Sequence, residues 1–294
     1  MKKPKVYVVV GPTASGKSAY AVMLAKKVGG EIISADSRQV YKGLDIGTGK
    51  ITKREMQGVP HHLLSVVSPK KVFTAHDYVQ RARPILEKIL QKGKSAIICG
   101  GTGFYIDALL GRITLPNVPP NASLRGKLKG KSAPQLFAVL KKLDPQRAKE
   151  IDRHNPVRLI RAIEIAQALG TVPRANMKTN PLPDYEVLWI GMKIAEISLR
   201  ENIRSRLHER MKNGMVAEAK RLHASGLSYR RMEQLGLEYR QLARLLKGAI
   251  TREQMCADLE REIFRYAKRQ MTYWRKNDSI VWWDQERRDA LIHS

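Results

Sequence analysis

The sequence GPTASGKS at positions 11–18 constrains the fold of this chain more than any other feature. It follows the apolar run Val6–Val10 and precedes an alanine-rich stretch, which gives the pattern G-x-x-x-x-G-K-[ST] between a strand and a helix. In that context the glycines let backbone N–H groups point at phosphate oxygens, and the helix N-terminus adds positive charge. We therefore predict a phosphate-binding loop of Gly11, Pro12, Thr13, Ala14, Ser15, Gly16, Lys17 and Ser18.

Two side chains of this loop carry further chemistry. Lys17 supplies a mobile positive charge, and the hydroxyl of Ser18 is suited to Mg²⁺. The alternative is a chance glycine turn before a helix. The loop does not identify which phosphate compound it holds.

Strands and helices alternate through the N-terminal region. We predict strands at 6–10, 31–36 and 95–99, and helices at 18–28 and 75–91. The segment 37–69 has the composition of a loop. This alternation predicts a parallel sheet whose ligands bind at the carboxyl ends of the strands.

The pattern changes after Leu115, where a proline-rich break leads into a region of helical spacing. We predict an α/β fold with three parts. Residues 1–120 form a P-loop NTPase-like core with a parallel sheet, and residues 121–184 form a helical insertion domain. In residues 185–294, a strand at 186–192 joins the sheet, and the rest of the region is helical.

The formal net charge of +27 favours a polyanionic partner, because lysine and arginine gain from releasing the counterions of phosphates. Basic residues are spread along the chain, which indicates a folded basic surface. Arg261, Arg265, Lys268 and Arg275 share one face of a predicted helix. That face either is simply solvated or contacts the polyanion.

Neither cysteine has the spacing of a zinc site or a disulfide framework, since Cys99 and Cys256 lie far apart. No apolar stretch approaches the roughly 20 residues that span a bilayer, and no signal peptide precedes the first strand. We expect a cytoplasmic protein with no membrane contact.

A carboxylate at the end of the second predicted strand is the candidate for proton transfer. The third strand ends at Cys99-Gly100, where an ATPase or GTPase would place an acid. Asp36 instead follows the second strand, where it is either a general base or a residue that forms a salt bridge or a cap for Ser37 and Arg38. The core therefore suits a group transferase that binds phosphate without necessarily transferring it.

Seven sequence motifs, taken in order, indicate a resemblance to a specific family. They are GPTASGKS (11–18), ADSRQVY (35–41), DIGTGK (45–50), PHHL (60–63), GGTGFY (100–105), NPVRLIRAIE (155–164) and KRQMTYWR (268–275). In this order they resemble the bacterial tRNA dimethylallyltransferases, also called tRNA isopentenyltransferases. The resemblance spans nearly the whole chain.

The resemblance implies a reaction. The dimethylallyl group of dimethylallyl diphosphate would move to N6 of the adenosine at tRNA position 37, 3′ of the anticodon, in tRNAs reading codons that begin with U. Lys17 and a Mg²⁺ near Ser18 would stabilise the departing diphosphate, with Arg206 as a second clamp. Asp36 would accept the amine proton, and Thr102 would hydrogen-bond near the amine or the bridging oxygen.

The same resemblance implies an RNA path, and we expect the insertion domain to bind tRNA and the enzyme to be a monomer. The path would be lined by Asp36, Ser37, Arg38, Gln39, Thr102, Arg125, Val157, Arg158, Leu159, Ile160, Arg161, Leu235, Gly236, Leu237, Glu238, Tyr239, Arg240, Lys268, Arg269, Gln270, Met271, Thr272, Tyr273, Trp274 and Arg275. The loop pattern alone would predict ATP binding, whereas the resemblance implies that the prenyl donor occupies the loop.

Three other functions remain open from the sequence. An isopentenyltransferase acting on free AMP, ADP or ATP would use the same chemistry without a large basic insertion. A P-loop kinase of a small metabolite would need only GPTASGKS. A non-catalytic RNA-binding protein could retain the loop without using it.

Overall fold

The computed structural model describes residues 3–173 and 185–283. The first of these ranges begins with β1 (Lys5–Val10), α1 (Lys17–Val28), β2 (Glu31–Ser34), α2 (Lys53–Met56), β3 (His61–His62), α3 (Ala75–Gln91), β4 (Ala96–Cys99) and α4 (Gly103–Leu109). The predicted alternation of strands and helices is confirmed. The second predicted strand ends at Ser34, so Asp36 lies just beyond it, and the segment predicted as loop contains α2 and β3.

The remaining elements are almost all helices. They are α5 (Ala122–Leu128), α6 (Ala133–Leu143), α7 (Pro145–Glu150), α8 (Pro156–Leu169), β5 (Glu186–Met192), α9 (Glu196–Lys212), α10 (Met215–Ala224), α11 (Tyr229–Gln234), α12 (Leu237–Leu246), α13 (Arg252–Trp274) and β6 (Ile280–Trp283). The predicted return strand, β5, is confirmed. The prediction of an entirely helical C-terminal region is wrong at β6, whose Ile-Val-Trp-Trp sequence favours a strand.

The described chain forms two compact units, residues 3–110 with 185–283, and residues 111–173. The domain limits at 120 and 184 stay predictions. Parts of the predicted second and third domains, residues 174–184 and 284–294, lie outside the described residues.

Within the described residues of the first unit, six strands form one sheet in the order β3-β2-β4-β1-β5-β6. Every pairing between neighbouring strands is parallel. The predicted α/β class with a parallel sheet core is therefore confirmed. The phosphate-loop strand β1 lies between β4 and β5 and is covered on both faces, as its unbroken apolar sequence predicts.

The two faces of the sheet have different cores. Helix α1 packs on one face, where its Ala21 and Leu24 join Val9 and Ile97. On the other face Val8 and Ile98 belong to a larger cluster that includes side chains of α3, α9, α12 and α13. The C-terminal helices, remote in sequence, therefore belong to the same core as the phosphate loop.

Helix α3 shows how local sequence sets an element boundary. Thr74 accepts a hydrogen bond from the N–H of Asp77, and the Asp77 carboxylate accepts one from the N–H of Thr74. This capping box satisfies two of the donors that a helix N-terminus leaves free. The buried side chains of the helix then recur at helical spacing from Tyr78 to Ile89.

The second unit consists, in its described part, of α5 to α8 and the segments joining them. Its core contains Leu136 and Leu140 of α6 and Leu159 and Ile163 of α8. The expectation that 122–169 is mostly helical is confirmed. No helix of the described ranges combines the length and apolarity that crossing a membrane requires.

Candidate active site

Three chain segments meet at the carboxyl edge of the sheet because three neighbouring strands end level with one another. Cys99 of β4 is in register with Val9 of β1 and with Ser34 of β2. The segments that follow these strands are the phosphate loop, Asp36 and the turn 100–103. Adjacent parallel strands place their ligands at this edge.

The phosphate loop turns sharply before α1. Gly16 is the N-cap of the helix and has a left-handed backbone with φ of 82°, which glycine adopts without strain. Gly16 and Ser18 are exposed, whereas Gly11, Pro12, Ala14 and Ser15 are buried. The N–H groups of the first helical turn have no partner within a helix and are available to an anion.

Lys17 lies against its own loop. Its Nζ donates a hydrogen bond to the carbonyl oxygen of Pro12 at 3.0 Å. Burial lowers the pKa of Lys17, and the Asp36 carboxylate opposes that change while the positive charge of Arg206 adds to it. A diphosphate bound here would supply the negative charge that favours the protonated amine.

Asp36 forms a tight turn with the residues after it. Its Oδ1 accepts hydrogen bonds from the N–H groups of Arg38 at 2.7 Å and Gln39 at 3.2 Å. Its Oδ2 accepts no hydrogen bond from the described residues, and the side chain is half-buried. Oδ1 of Asp36 therefore caps Arg38, as the alternative predicts, but it does not cap Ser37, whose N–H donates to Thr102 instead. Oδ2 is the oxygen that could accept a proton.

Thr102 is bonded to the segment that carries Asp36. The N–H of Thr102 donates to the carbonyl of Ala35 at 3.1 Å, and its Oγ1 accepts from the N–H of Ser37 at 3.1 Å. Thr102 and Ser37 are half-buried. Thr102 is thus hydrogen-bonded to the residues immediately before and after Asp36, and these bonds hold the two predicted site residues close together.

Arg206 of α9 lies beside the loop 45–50. A Cβ atom at Gly49 would be 3.1 Å from Arg206 Nη2. Arg206 is an exposed residue, but protein atoms around its guanidinium group lower its pKa, as does the nearby positive charge of Arg210. An arginine nevertheless remains protonated at neutral pH. The positive charge of Arg206 helps to lower the pKa of Lys17, so the two cations are near enough to bind one anion.

The loop 45–50 is anchored by an acid that the sequence did not single out. Glu218 of α10 is buried, and its carboxylate accepts hydrogen bonds from the N–H groups of Asp45, Ile46 and Gly47 at 2.8 to 2.9 Å. It also accepts one from the hydroxyl of Tyr239 at 2.6 Å. The available signal was an acid on the buried side of a helix, where carboxylates are rare.

Replacing Glu218 by glutamine is expected to lower the free energy of unfolding by about 2–4 kcal/mol, because an amide nitrogen cannot accept hydrogen bonds from these donors. Urea unfolding measures the change. Glu201→Gln, an exposed carboxylate on α9, is the control and should change stability little. Equal stability of the two variants would contradict an anchoring role.

Helix α13 divides its predicted RNA-contacting residues between two environments. Lys268, Arg269 and Thr272 are exposed, as is Arg275 at the helix end. Gln270 and Trp274 are buried, and Met271 and Tyr273 are half-buried. Only one face of the helix is therefore open to a nucleic acid.

Tyr266 joins the site from the same helix, although the sequence did not point to it. It lies one turn before Gln270 and is half-buried. Burial raises its pKa to about 12, and the Asp36 carboxylate acts in the same direction. Tyr266 and Asp36 are therefore close enough for their charges to interact.

The range 235–240 also combines buried and accessible residues. Leu235 and Tyr239 are buried, Arg240 is exposed, and Gly236, Leu237 and Glu238 are half-buried. A Cβ atom at Gly236 would lie 3.1 Å from Arg38 Nε. The structure thus places Gly236 next to the segment 36–39, whereas the Leu235 and Tyr239 side chains belong to the core.

In the second unit, Arg125 and Arg161 converge on one buried carboxylate, that of Glu164. Arg125 donates from Nε and Nη2 to the two oxygens of Glu164 at 2.7 and 2.9 Å, and Arg161 donates from Nη1 at 3.2 Å. Val157 and Arg158 are exposed, Ile160 is half-buried and Leu159 is buried. The two arginines are therefore held in fixed orientations at the surface of this unit.

The ionisation of Glu164 should make the stability of the protein depend on pH. Its burial opposes ionisation, but hydrogen bonds from Arg125, the N–H of Asn121 and Arg161 lower its pKa below the ordinary 4.5. Because the pKa of Glu164 is lower in the folded than in the unfolded protein, its ionised form stabilises the fold above pH 4.5. This stabilisation is lost as the pH falls from 4.5 through the folded-state pKa. Glu164→Gln is expected to be destabilised by about 1–3 kcal/mol at neutral pH and by less in acid.

Urea unfolding followed by circular dichroism, at neutral pH and near pH 3.5, measures this difference. Glu150→Gln, a half-exposed carboxylate in a surface ion pair, is the control and should behave like the wild type at both pH values. A stability difference for Glu164→Gln that does not change with pH would contradict the assignment.

A divalent ion would have to share its ligands with a bound phosphate. The described residues contain no cluster of three or more histidine, cysteine or acidic side chains suited to a metal. Ser18 is exposed in the first turn of α1. This fits Mg²⁺, which is commonly bound by one or two protein groups together with phosphate oxygens and water.

Comparison with known proteins places the chain in a family. The family described as IPP transferase matches residues 39–277 of the chain. tRNA dimethylallyltransferase 2 of Treponema denticola is 45% identical over 271 residues, which cover 92% of this chain and 91% of that protein. The namesake enzyme of Citrifermentans bemidjiense is 40% identical over 294 residues, which cover 99% and 94%.

Solved structures agree with the sequence relatives. The full-length tRNA isopentenylpyrophosphate transferase of Bacillus halodurans has a TM-score of 0.73 at 34% identity and covers 99% of this chain and 95% of its own. A eukaryotic dimethylallyltransferase acting on tRNA, 23% identical with a TM-score of 0.80, shares the fold. The chain is therefore a member of the IPP transferase family.

Proposed function

We propose that the protein transfers the dimethylallyl group of dimethylallyl diphosphate to N6 of adenosine 37, next to the anticodon on its 3′ side, giving N6-dimethylallyladenosine and diphosphate. The substrates would be tRNAs reading codons that begin with U. Relatives named tRNA dimethylallyltransferase support this activity. The observation that carries it is the proximity of a phosphate loop and the Asp36–Thr102 pair at one edge of the sheet.

The diphosphate end of the donor would bind the phosphate loop. The N–H groups of α1's first turn, Lys17 and Arg206 would surround its oxygens, and Ser18 would hold a Mg²⁺ that neutralises part of its charge. These groups favour the transition state because negative charge grows on the diphosphate as the bond to the allylic carbon breaks.

The amine would be activated beside Asp36. The N6 nitrogen attacks the allylic carbon with its lone pair, the carbon–oxygen bond breaks, and its electron pair leaves with the diphosphate. Oδ2 of Asp36 accepts the proton that N6 loses, while Oδ1 stays bonded to the N–H groups of Arg38 and Gln39. Thr102 would orient the amine or the bridging oxygen.

The tRNA would bind to the accessible members of the predicted path. A stacked base must leave the anticodon stack to reach a carboxylate at a sheet edge, so base flipping is required. The exposed Lys268, Arg269 and Arg275, together with the net charge of +27, suit phosphate contacts. We further propose that the enzyme acts as a monomer in the cytoplasm.

The competing functions fit the site less well. No acid ends β4, where a phosphoryl-transfer enzyme of this architecture would place one, and burial raises the pKa of Cys99 there to about 11. That thiol is therefore neutral and inert at physiological pH. An enzyme that acts on free AMP would not need Arg125 and Arg161, which Glu164 holds at the surface of the helical insertion, to bind its substrate.

The test is mass spectrometry of the nucleosides of tRNA incubated with protein, Mg²⁺ and dimethylallyl diphosphate. We expect N6-dimethylallyladenosine from an anticodon stem-loop with adenosine at position 37, and none from the same stem-loop with guanosine there. A clear preference for free AMP would overturn the choice of substrate. Phosphorylated product and ADP, formed from ATP without prenyl transfer, would establish a kinase instead.

A further inference from the structure

Gln270 is a buried polar residue in the middle of the α13 segment that was predicted to contact RNA. Its exposed fraction is 6%. The exposed neighbours Lys268 and Arg269 point to solvent, whereas Gln270 lies with Ala267 and Trp274 on the buried side of the helix. A buried side-chain amide requires hydrogen-bond partners, because leaving either end unpaired costs free energy.

Both ends of this amide bond to the active-site loops. Oε1 of Gln270 accepts a hydrogen bond from the N–H of Thr13, inside the phosphate loop, at 2.8 Å. Nε2 donates to the carbonyl oxygen of Gly101, in the turn before Thr102, at 3.0 Å. One planar group therefore connects the donor-binding loop with the turn that carries a predicted catalytic residue.

The turn is shaped to receive this amide. A Cβ atom at Gly101 would be 2.1 Å from Gln270 Nε2, so a larger residue there would displace the amide. One turn later on α13, Tyr273 packs against Gly103 in the same way, and its hydroxyl donates a hydrogen bond to Asp107 of α4. Helix α13 thus fixes the turn 100–103 at two points.

One further hydrogen bond links this turn to the segment that contains the candidate base, Asp36. Thr102 follows Gly101, and its Oγ1 accepts the hydrogen bond from the N–H of Ser37, next to Asp36. The bonds of Gln270 thus link the phosphate loop to the Asp36 segment through a continuous series of protein groups. Displacements of about 1 Å in such an arrangement can slow a reaction about 100-fold.

We propose that Gln270 is a positioning residue that sets the distance between the bound diphosphate and the amine-activating pair Asp36–Thr102. This role rests on the proposed function and assigns Gln270 no direct contact with the tRNA. Helix α13 also presents Lys268 and Arg269 on its exposed face, so the same helix would connect the proposed RNA contacts with the donor-binding loop. Loss of the amide bonds should therefore slow the chemical step rather than weaken either substrate's binding.

Gln270→Met tests this proposal, because methionine has a similar length and volume but lacks the amide. The matched control is Gln241→Met. Gln241 is 2% exposed, and its amide also donates one hydrogen bond, to Glu262, and accepts one, from Arg244. Both variants remove a buried amide with two partners, but only Gln270 contacts the site.

Single-turnover prenyl transfer across a donor titration up to saturation, binding of anticodon stem-loop RNA and thermal unfolding are measured for both variants. We expect Gln270→Met to slow transfer about 10–100-fold. Its RNA affinity and its apparent KM for the donor should stay near wild type, with a loss of thermal stability similar to that of Gln241→Met.

Three results would contradict the proposal. Equal transfer rates for the two variants would overturn the positioning role alone. A loss confined to RNA affinity would show that Gln270 serves RNA binding. Wild-type protein that leaves tRNA unmodified would overturn the proposed function, and the positioning role with it.

Discussion

Replacing Asp36 by asparagine is expected to slow dimethylallyl transfer by about 10²–10⁴-fold, the usual contribution of a general base. Asparagine keeps an oxygen that can accept the hydrogen bonds from the N–H groups of Arg38 and Gln39, so the local turn should survive. It cannot accept the proton that N6 loses. Single-turnover transfer to an anticodon stem-loop measures the effect.

Two comparisons make the Asp36 result specific. Asp36→Ala removes both the base and the turn's hydrogen-bond acceptor, and should be at least as slow as the asparagine variant. The affinity of Asp36→Asn for tRNA should stay near the wild-type value, because the carboxylate acts on a proton rather than on a phosphate. A normal transfer rate in Asp36→Asn would show that Asp36 is not the general base.

Replacing Lys17 by methionine is expected to slow transfer by about 10²–10³-fold, the cost of removing one preorganised group that stabilises developing charge. Lys17 is the loop's only cation, and it lies close enough to Asp36 for their charges to interact. The affinity for the donor should fall too, because in the proposed mechanism the ammonium group binds the diphosphate before the reaction. Rates measured across a donor titration separate the two effects.

Lys26→Met is the control for Lys17. It lies on the same helix, is exposed and hydrogen-bonds Gln57 away from the loop. Its transfer rate and donor affinity should match wild type. Equal behaviour of the two lysine variants would mean that the loop does not hold the diphosphate through Lys17.

Local signals in the sequence predicted the core of the fold. The apolar run before GPTASGKS indicated β1, and helix α3 has the predicted bounds because a capping box and four-residue apolar spacing mark its length. The resemblance to the family came from short motifs that keep their order along the chain. None of this required knowledge of tertiary contacts.

Two strands and two side-chain roles that depend on distant partners were not predicted. Strand β6 forms because its backbone pairs with β5 at the edge of the sheet, and β3 forms by pairing with β2. The anchoring role of Glu218 depends on a loop about 170 positions earlier in the chain. Gln270 likewise meets Thr13 across 257 positions. Sequence spacing carries no information about such pairs.

The predicted RNA path was too broad because it was assigned as continuous ranges. A helix exposes only part of its surface, so consecutive residues point in different directions. Leu159, Leu235, Tyr239 and Trp274 fall on buried positions of such ranges, where they pack in hydrophobic cores. Their accessible neighbours remain the predicted contacts.

A structure of the protein with an RNA hairpin and an unreactive thiolo analogue of the donor tests the central claim most directly. We predict the diphosphate inside the loop 11–18, bound by Lys17, with the flipped adenine's N6 within hydrogen-bond distance of Asp36 Oδ2. A diphosphate bound elsewhere, or an N6 atom beyond the reach of Asp36, would contradict it.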